Sequence, residues 1–155
     1  MPSLLAVDLG VKTGLALFDR EGRLLWCRSH NFGTIKRLRK GVYRILGDIS
    51  DLSILVIEGG GTVAWVWERE AKRRSLTLYK INAEDWRGQF LYPREQRSGP
   101  AAKDNAGTIA RRVIAWSHKA QPASMRHDTA EAILAGLWGV LEVGWLKKLP
   151  AEVRQ

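Results

Sequence analysis

Residues Ser3–Phe18 read SLLAVDLGVKTGLALF, two short apolar runs joined by a segment that contains Gly10. A run, a glycine-containing turn and a second run predict two adjacent β-strands, Leu4–Asp8 and Gly14–Phe18. The first strand ends in Asp8, and an unpaired carboxylate buried in a sheet costs on the order of several kcal/mol. Asp8 therefore predicts a cation, a polar partner or water at the mouth of this strand.

A third strand follows a polar turn. Arg23–Ser29 alternates in polarity around Leu24, Trp26 and Arg28, which is the period of a strand. Because both connections so far are too short for a crossover, the first three strands are predicted to form an antiparallel meander.

The period then becomes helical over Thr34–Leu46, with Thr34 as the N-cap. The apolar positions are Ile35, Leu38, Val42, Ile45 and Leu46, and the basic positions are Lys36, Arg37, Arg39, Lys40 and Arg44. The basic face either contacts phosphate groups or is simply solvated, and the sequence leaves both interpretations open.

A compact apolar run, Leu52–Ile57, precedes Glu58 and three glycines. Such a run is typical of a strand buried on both faces in a parallel sheet. A right-handed crossover through the preceding helix would place it parallel to the first strand. The carboxyl ends of both strands, with Asp8 and Glu58, are then expected at the edge where catalytic groups gather in open α/β sheets.

The remaining pattern predicts an α/β fold with a five-stranded mixed sheet, three antiparallel strands and then two parallel ones, flanked by helices. Its predicted elements are a helix Thr62–Arg74 capped by Thr62, a strand Leu76–Ile81, a short helix Asn82–Arg87 capped by Asn82, a loop Tyr92–Pro100, a helix Ala101–His118 and a helix Met125–Leu146. Residues 1–149 are predicted to form one domain, and residues 150–155 a flexible tail.

Two tryptophans, Trp65 and Trp67, lie on the helix after the three glycines. They either fill the core or a dimer seam, or stack on bases at the site.

The last helix contains two acids three residues apart, Asp128 and Glu131, which share one helix face. Asp-x-x-Glu is also a capping box, which is the structural alternative. Ser124 offers an earlier cap that would place both acids inside the helix, next to Asp8 and Glu58. Neighbouring carboxylates repel one another unless a cation joins them.

Four carboxylates without cysteine ligands favour Mg²⁺ or Mn²⁺ over zinc. Cys27 is the only cysteine. Two such ions about 4 Å apart are a common arrangement for phosphodiester hydrolysis. His127 precedes the pair of acids, and its candidate roles are general base, phosphate contact or ordinary surface residue.

Basic residues outnumber acidic ones, 25 against 16, giving a formal net charge of +9. This excess favours a polyanionic partner such as nucleic acid, the alternative being a merely soluble basic protein. Arg94 and Arg97, in the predicted loop, are candidate phosphate contacts, the alternative being a solvated linker. Lys12 either neutralises a phosphate or pairs with an acid.

The composition is otherwise ordinary for a globular chain, with 45% hydrophobic and 26% charged residues. Neither a secretory signal nor a membrane span is expected. No nucleotide-binding glycine motif is present. We therefore expect an intracellular protein, cytoplasmic or nucleoid-associated, with a phage or organellar source left open.

Three segments together resemble the RuvC-type Holliday junction resolvases of the ribonuclease H-like superfamily. They are AVDLG at Ala6–Gly10 with GLA at Gly14–Ala16, LVIE at Leu55–Glu58, and HDTAEA at His127–Ala132. In that family the first-strand Asp, the fourth-strand Glu and a terminal pair of acids hold the metals. By position these match Asp8, Glu58, Asp128 and Glu131, although the family's last acid is usually Asp.

The resemblance implies a ribonuclease H-like fold, two Mg²⁺ ions per site and a homodimer that cuts opposed strands of a four-way DNA junction. It also implies DNA contacts around Lys103 and a dimer seam through the glycine-rich turn and the helix with Trp65 and Trp67. The rival families are the YqgF-like RNA-processing nucleases, which share the opening Asp-x-Gly-x-Lys, and a binding module for branched DNA that has lost its catalytic site.

Overall fold

The computed structural model describes residues 1–154. The strands are β1 Ser3–Asp8, β2 Lys12–Phe18, β3 Leu24–Asn31, β4 Leu52–Glu58 and β5 Thr77–Ile81. The helices are α1 Ile35–Asp48, α2 Gly61–Arg73, α3 Ala83–Phe90, α4 Gly99–Trp116, α5 His127–Glu142 and α6 Ala151–Arg154, with a 3₁₀ turn at Pro93–Gln96. Among these residues no helix is both long and apolar enough to cross a membrane.

The five strands form one mixed sheet in the order β3-β2-β1-β4-β5. The pairs β1–β2 and β2–β3 are antiparallel, and β1–β4 and β4–β5 are parallel, which confirms the predicted arrangement. One transverse row aligns Ser29, Gly14, Asp8, Glu58 and Ile81 across all five strands. Residues in one row project from the same face of a pleated sheet. The side chains of Asp8 and Glu58 therefore leave the same face of the sheet, side by side at the carboxyl ends of β1 and β4.

Helices cover both faces of the sheet. Leu5 and Val7 belong to the core cluster that packs on α1 and α2, whereas Leu4 and Ala6 belong to the cluster that packs on α3 to α6. Alternation along β1 therefore places Asp8 on the face that α5 covers.

α5 lies unusually close to the sheet because small residues face it. An added Cβ at Gly136 would lie 2.2 Å from Phe18, and one at Gly139 would lie 2.9 Å from Val56. On the sheet side, an added Cβ at Gly14 would lie 1.8 Å from the Asp128 backbone oxygen. The first turns of α5 are thus held directly over the row that contains Asp8.

Two of the predicted N-caps, Thr34 of α1 and Asn82 of α3, are confirmed. Thr34 accepts a hydrogen bond from the Arg37 amide, and Asn82 accepts one from the Asp85 amide in a capping box. Thr62 is not a cap: α2 begins one residue earlier, after Gly60.

α5 is shorter than predicted at both ends. It begins at His127 rather than Met125, and Gly144, with φ +81°, follows its end at Glu142. The Leu146 amide donates to the Val140 carbonyl across this turn, which closes the helix before Leu146.

The predicted flexible tail does not hold for residues 151–154. They form α6, and Val153 is fully buried in the core beside α4. A single apolar residue in a four-residue helix gives no period to detect, which is why the sequence pattern did not reveal it. Gln155 lies outside the described residues.

Candidate metal centre

Three carboxylates meet at the carboxyl edge of the parallel strands. Asp8 ends β1, Glu58 ends β4 directly beside it, and Glu131 extends from the second turn of α5. One carboxylate oxygen of each lies within 4.8 Å of those of the other two. The structure therefore brings together three of the four acids that the sequence selected.

Burial and mutual repulsion hold protons on this group. Desolvation, followed by the hydrogen bond and negative charge of Glu58 and the charge of Glu131, raises the pKa of Asp8 from 3.8 to about 10. Burial also raises the pKa of Glu58, although hydrogen bonds from Asp8 and Trp86 and the charge of Arg87 oppose that rise. A divalent cation would replace the retained proton and relieve the repulsion.

α3 supplies the polar support for these carboxylates. The Trp86 indole Nε1 donates a 2.6 Å hydrogen bond to Glu58 Oε1 in the protein interior. Arg87 Nη2 lies 3.7 Å from Glu131 Oε1, and the buried Arg87 Nε has no hydrogen-bond partner in the described chain. These two residues orient two of the three acids.

Sequence reasoning missed Trp86 and Arg87 as site residues. The sequence feature that could have revealed them is the capping box between Asn82 and Asp85. It fixes where α3 begins after β5, and therefore the direction in which each α3 side chain points. Ile81, the last residue of β5, occupies the same sheet row as Glu58, so the start of α3 lies beside the carboxylates.

The structure does not bring the Asp128 side chain into the group. Its Oδ2 accepts a 2.8 Å hydrogen bond from the Ser29 hydroxyl on β3 and lies 3.9 Å from Arg126 Nε. Asp128 is the second residue of α5 and Arg126 is the N-cap, so the capping-box alternative is excluded. Asp128 lies over Gly14, the neighbour of Asp8 in the sheet row.

The donor set fits a hard divalent cation. Three carboxylates from separate elements supply oxygen ligands only, and the single cysteine, Cys27, is not among them. Oxygen-only sites favour Mg²⁺ and Mn²⁺, whereas structural zinc prefers sulfur and nitrogen. The geometry of these three side chains is compatible with holding one metal ion.

No protein-family profile and no curated protein matches this sequence. Among solved structures, Thermus thermophilus RuvC in complex with Holliday junction substrate is similar, with TM-score 0.64, 12% identity, and coverage of 93% of this chain and 96% of that one. The fowlpox virus Holliday junction resolvase is similar with TM-score 0.65, 12% identity, and coverage of 90% and 99%. The fold is that of RuvC. At these identities the likeness is one of fold, and it extends over nearly all of both chains.

In this RuvC-like fold, the side chains of His127 and Lys12 are exposed. His127 is the first residue of α5, next to Asp128, and Lys12 opens β2 opposite Asn31. Their phosphate-binding or catalytic roles stay predictions.

The predicted basic loop is partly ordered by contacts to α3. Arg94 lies in the 3₁₀ turn and stacks on Tyr92, with 5.0 Å between the guanidinium and the ring, and Arg97 follows the turn. Gln96, between them, donates 3.3 Å and 3.1 Å hydrogen bonds to the carbonyls of Arg87 and Leu91. The loop is thereby attached to the helix that supports the carboxylates. Lys103 is exposed in the second turn of α4.

The two tryptophans of α2 have different surroundings. Trp67 is fully buried in the core, so its predicted contact with DNA is wrong. Trp65 is 47% exposed on α2, which covers the opposite face of the sheet from Asp8, and its contact with bases stays a prediction.

Asp8→Asn is expected to stabilise the metal-free protein at mildly alkaline pH. Because the native state binds the Asp8 proton more tightly than the unfolded chain, the parent loses stability as pH rises from 3.8 toward about 10. An amide has no proton to lose in either state, so it removes this pH-dependent loss, with an expected gain of roughly 1–3 kcal/mol, or about 3–10 °C in Tm. Thermal unfolding in EDTA across this pH range measures it.

The control for this prediction is Mn²⁺. It should raise the Tm of the parent and leave that of Asp8→Asn nearly unchanged. A variant that is less stable than the parent at alkaline pH would contradict the assignment of repulsion within the group.

Proposed function

We propose that this protein is a metal-dependent endonuclease that resolves four-way DNA junctions. The observation behind this proposal is the meeting of Asp8, Glu58 and Glu131 within 4.8 Å at the carboxyl edge of a ribonuclease H-like sheet. The similar structures are RuvC and a viral Holliday junction resolvase, one of them in complex with junction substrate. The net charge of +9 suits a DNA partner.

Asp8, Glu58 and Glu131 would hold one Mg²⁺ or Mn²⁺ ion. Asp128, over the same sheet row, is the candidate further ligand for a second ion. When bound, two such ions activate a water molecule and stabilise the leaving 3′ oxygen of a phosphodiester. The chain itself supplies position: Trp86 and Arg87 fix the carboxylates of Glu58 and Glu131.

Four exposed cations are the proposed DNA contacts. Lys12, Arg94, Arg97 and Lys103 would bind phosphates, which position a duplex without reading its sequence. His127 would contact a phosphate or accept a proton from water.

A homodimer is part of the proposal, because two opposed strands of a junction require two active sites. Gly60 and Gly61, exposed in the turn after Glu58, are the proposed seam. An added Cβ at either glycine would meet nothing within 4 Å in this chain, so a partner could approach the backbone closely. Trp67 is excluded from the seam by its burial.

The test is a cleavage assay on three substrates: a synthetic four-way junction, a linear duplex of the same sequence and a structured RNA. We expect paired nicks in the junction with Mg²⁺ or Mn²⁺ and little cleavage of the linear duplex. Faster cleavage of RNA than of the junction would favour an RNA-processing nuclease of the same fold. Junction binding without cleavage under any divalent metal would favour a non-catalytic binding module.

Trp86→Phe is expected to weaken metal binding by about tenfold, with little change in fold. Phe keeps an aromatic ring at this buried position, although it is smaller than the indole, and it lacks the N–H, so Glu58 loses the hydrogen bond that favours its ionised form. Loss of an outer hydrogen bond to a metal ligand typically costs about 10–100-fold in affinity. Calorimetric titration with Mn²⁺ measures the change.

A matched control is Trp116→Phe, because that tryptophan is remote from the carboxylates at the end of α4. Equal Mn²⁺ affinities of Trp86→Phe and the parent would remove Trp86 from the site.

A further inference from the structure

A second charged surface lies between α1 and α2, on the face of the sheet opposite the carboxylates. The two helices line a groove of about 790 Å³. Its cations are Arg39, Lys40, Arg44, Arg69, Arg73 and Arg74. Its only acids among the described residues are Asp48 and Glu70. A groove with this excess of positive charge predicts a polyanionic ligand.

The charge continues across α1 to the edge strand. A neighbouring groove of about 490 Å³ between β3 and α1 shares Lys40, Arg44 and Asp48 with the first one and adds the exposed Arg28 and Arg37. The two grooves together form one band, which we name the α1 basic face.

Few of these cations are neutralised within the chain. Arg73 and Arg74 pair with Glu70, at 3.1 Å and 3.4 Å. The remaining cations of the α1 basic face form no ion pair within residues 1–154; they are Arg28, Arg37, Arg39, Lys40, Arg44 and Arg69. Gathering like charges is unfavourable unless a ligand such as a phosphate backbone neutralises them.

Exposed aromatic rings lie among the cations. Trp65 is 47% exposed, and the guanidinium groups of Arg39 and Arg69 lie 5.8 Å and 5.4 Å from its ring. Tyr43 is 58% exposed in the same groove, with Arg74 at 5.1 Å. A basic groove with accessible rings is the arrangement that binds single strands, because every unpaired base can stack on an aromatic face.

We propose that the α1 basic face binds single-stranded nucleic acid, with phosphates on the arginines of α1 and α2 and a base stacked on Trp65. A duplex uses its base faces internally, so it could engage the charges but not the rings. The site is separate from the carboxylates, because α1 and α2 pack on Leu5 and Val7, whereas Asp8 faces α5. This inference goes beyond junction cleavage and does not require it.

The experiment measures anisotropy of a labelled oligothymidylate with full-length protein in EDTA. Trp65→Ala should weaken binding by about tenfold, and Trp65→Phe should restore most of it. A plot of log affinity against log salt concentration has a negative slope. In the double variant Arg39→Ala/Arg69→Ala this slope should become shallower by about 1.4, which is about 0.7 for each lost phosphate contact. Lys147→Ala/Lys148→Ala removes the same charge after the far end of α5 and should keep the parent's slope.

Two results would overturn the proposal. One is polyglutamate competing as well as oligothymidylate, with Trp65→Ala having no effect, because an acidic protein would then be the better ligand. The other is Trp65→Ala converting a dimer to a monomer by light scattering with unchanged oligothymidylate binding, which would assign the face to self-association. The assay contains EDTA and reads binding only, so its outcome is separate from success or failure of the nuclease proposal.

Discussion

Asp8→Asn is expected to lower the rate of junction cleavage by at least about 10³-fold while leaving junction binding within a few-fold. Asp8 is the central member of the three-carboxylate group, since its side chain meets both Glu58 and Glu131. An amide of the same shape cannot neutralise a divalent ion, and each 10-fold loss in rate corresponds to about 1.4 kcal/mol of transition-state stabilisation. Single-turnover cleavage of a labelled junction with saturating Mg²⁺ measures the rate, and gel shift in Ca²⁺ measures binding.

Asp128→Asn is the matched control, because it makes the same chemical change on α5, over the same sheet row but outside the group. Ser29 can still donate to the remaining carbonyl oxygen of the amide. We expect Asp128→Asn to keep Mn²⁺ binding at the first site and to lower cleavage by a smaller factor than Asp8→Asn. Equal cleavage by Asp8→Asn and the parent would contradict a nuclease centre at this position.

The sequence was sufficient for Asp8 and Glu58 because their positions follow from topology. Each residue ends an apolar strand, and the helix between the strands makes them parallel, so both carboxylates reach the same edge. The register that aligns Asp8 with Glu58 needed no knowledge of side-chain packing.

Topology alone does not predict the orientation of the Asp128 side chain. Residues three apart on a helix differ by about 60° in direction, so Asp128 and Glu131 share a face without pointing at the same neighbour. Which acid reaches Asp8 depends on the rotation of α5 about its axis. That rotation is fixed by the contacts of Gly14, Gly136 and Gly139 with the opposing surface, which no local pattern encodes.

The two tryptophans of α2 follow the same rule. Trp65 and Trp67 are two residues apart and therefore point in nearly opposite directions from the helix. The sequence indicates that they differ, but the side of the sheet on which α2 packs decides which one is buried. The surroundings of the exposed Trp65 are likewise set by tertiary packing, which places Arg39 of α1 beside its ring.

Gly14→Ala is expected to destabilise the protein by about 3 kcal/mol, which is a large effect for one methyl group. The added Cβ would lie 1.8 Å from the Asp128 backbone oxygen and 2.9 Å from the Thr129 nitrogen. Neither atom belongs to a flexible side chain, so α5 as a whole must move away from β2. At about 2–4 °C per kcal/mol, the Tm should fall by roughly 10 °C.

The same displacement reaches the metal centre, because Glu131 extends from α5 one turn after Asp128. Misplacement of a catalytic group by about 1 Å can cost about 100-fold in rate, so Gly14→Ala should lose cleavage and Mn²⁺ affinity even where it remains folded. Gly107→Ala provides the control, because an added Cβ there meets nothing within 4 Å in α4 and should stabilise the helix by up to about 1 kcal/mol. Both variants replace a flexible glycine by alanine, but only Gly14→Ala introduces a steric clash. Comparing the two by thermal unfolding and Mn²⁺ titration therefore isolates the effect of the clash. If Gly14→Ala matched Gly107→Ala in both measurements, α5 would not rest on β2, and Glu131 would have no fixed position beside Asp8.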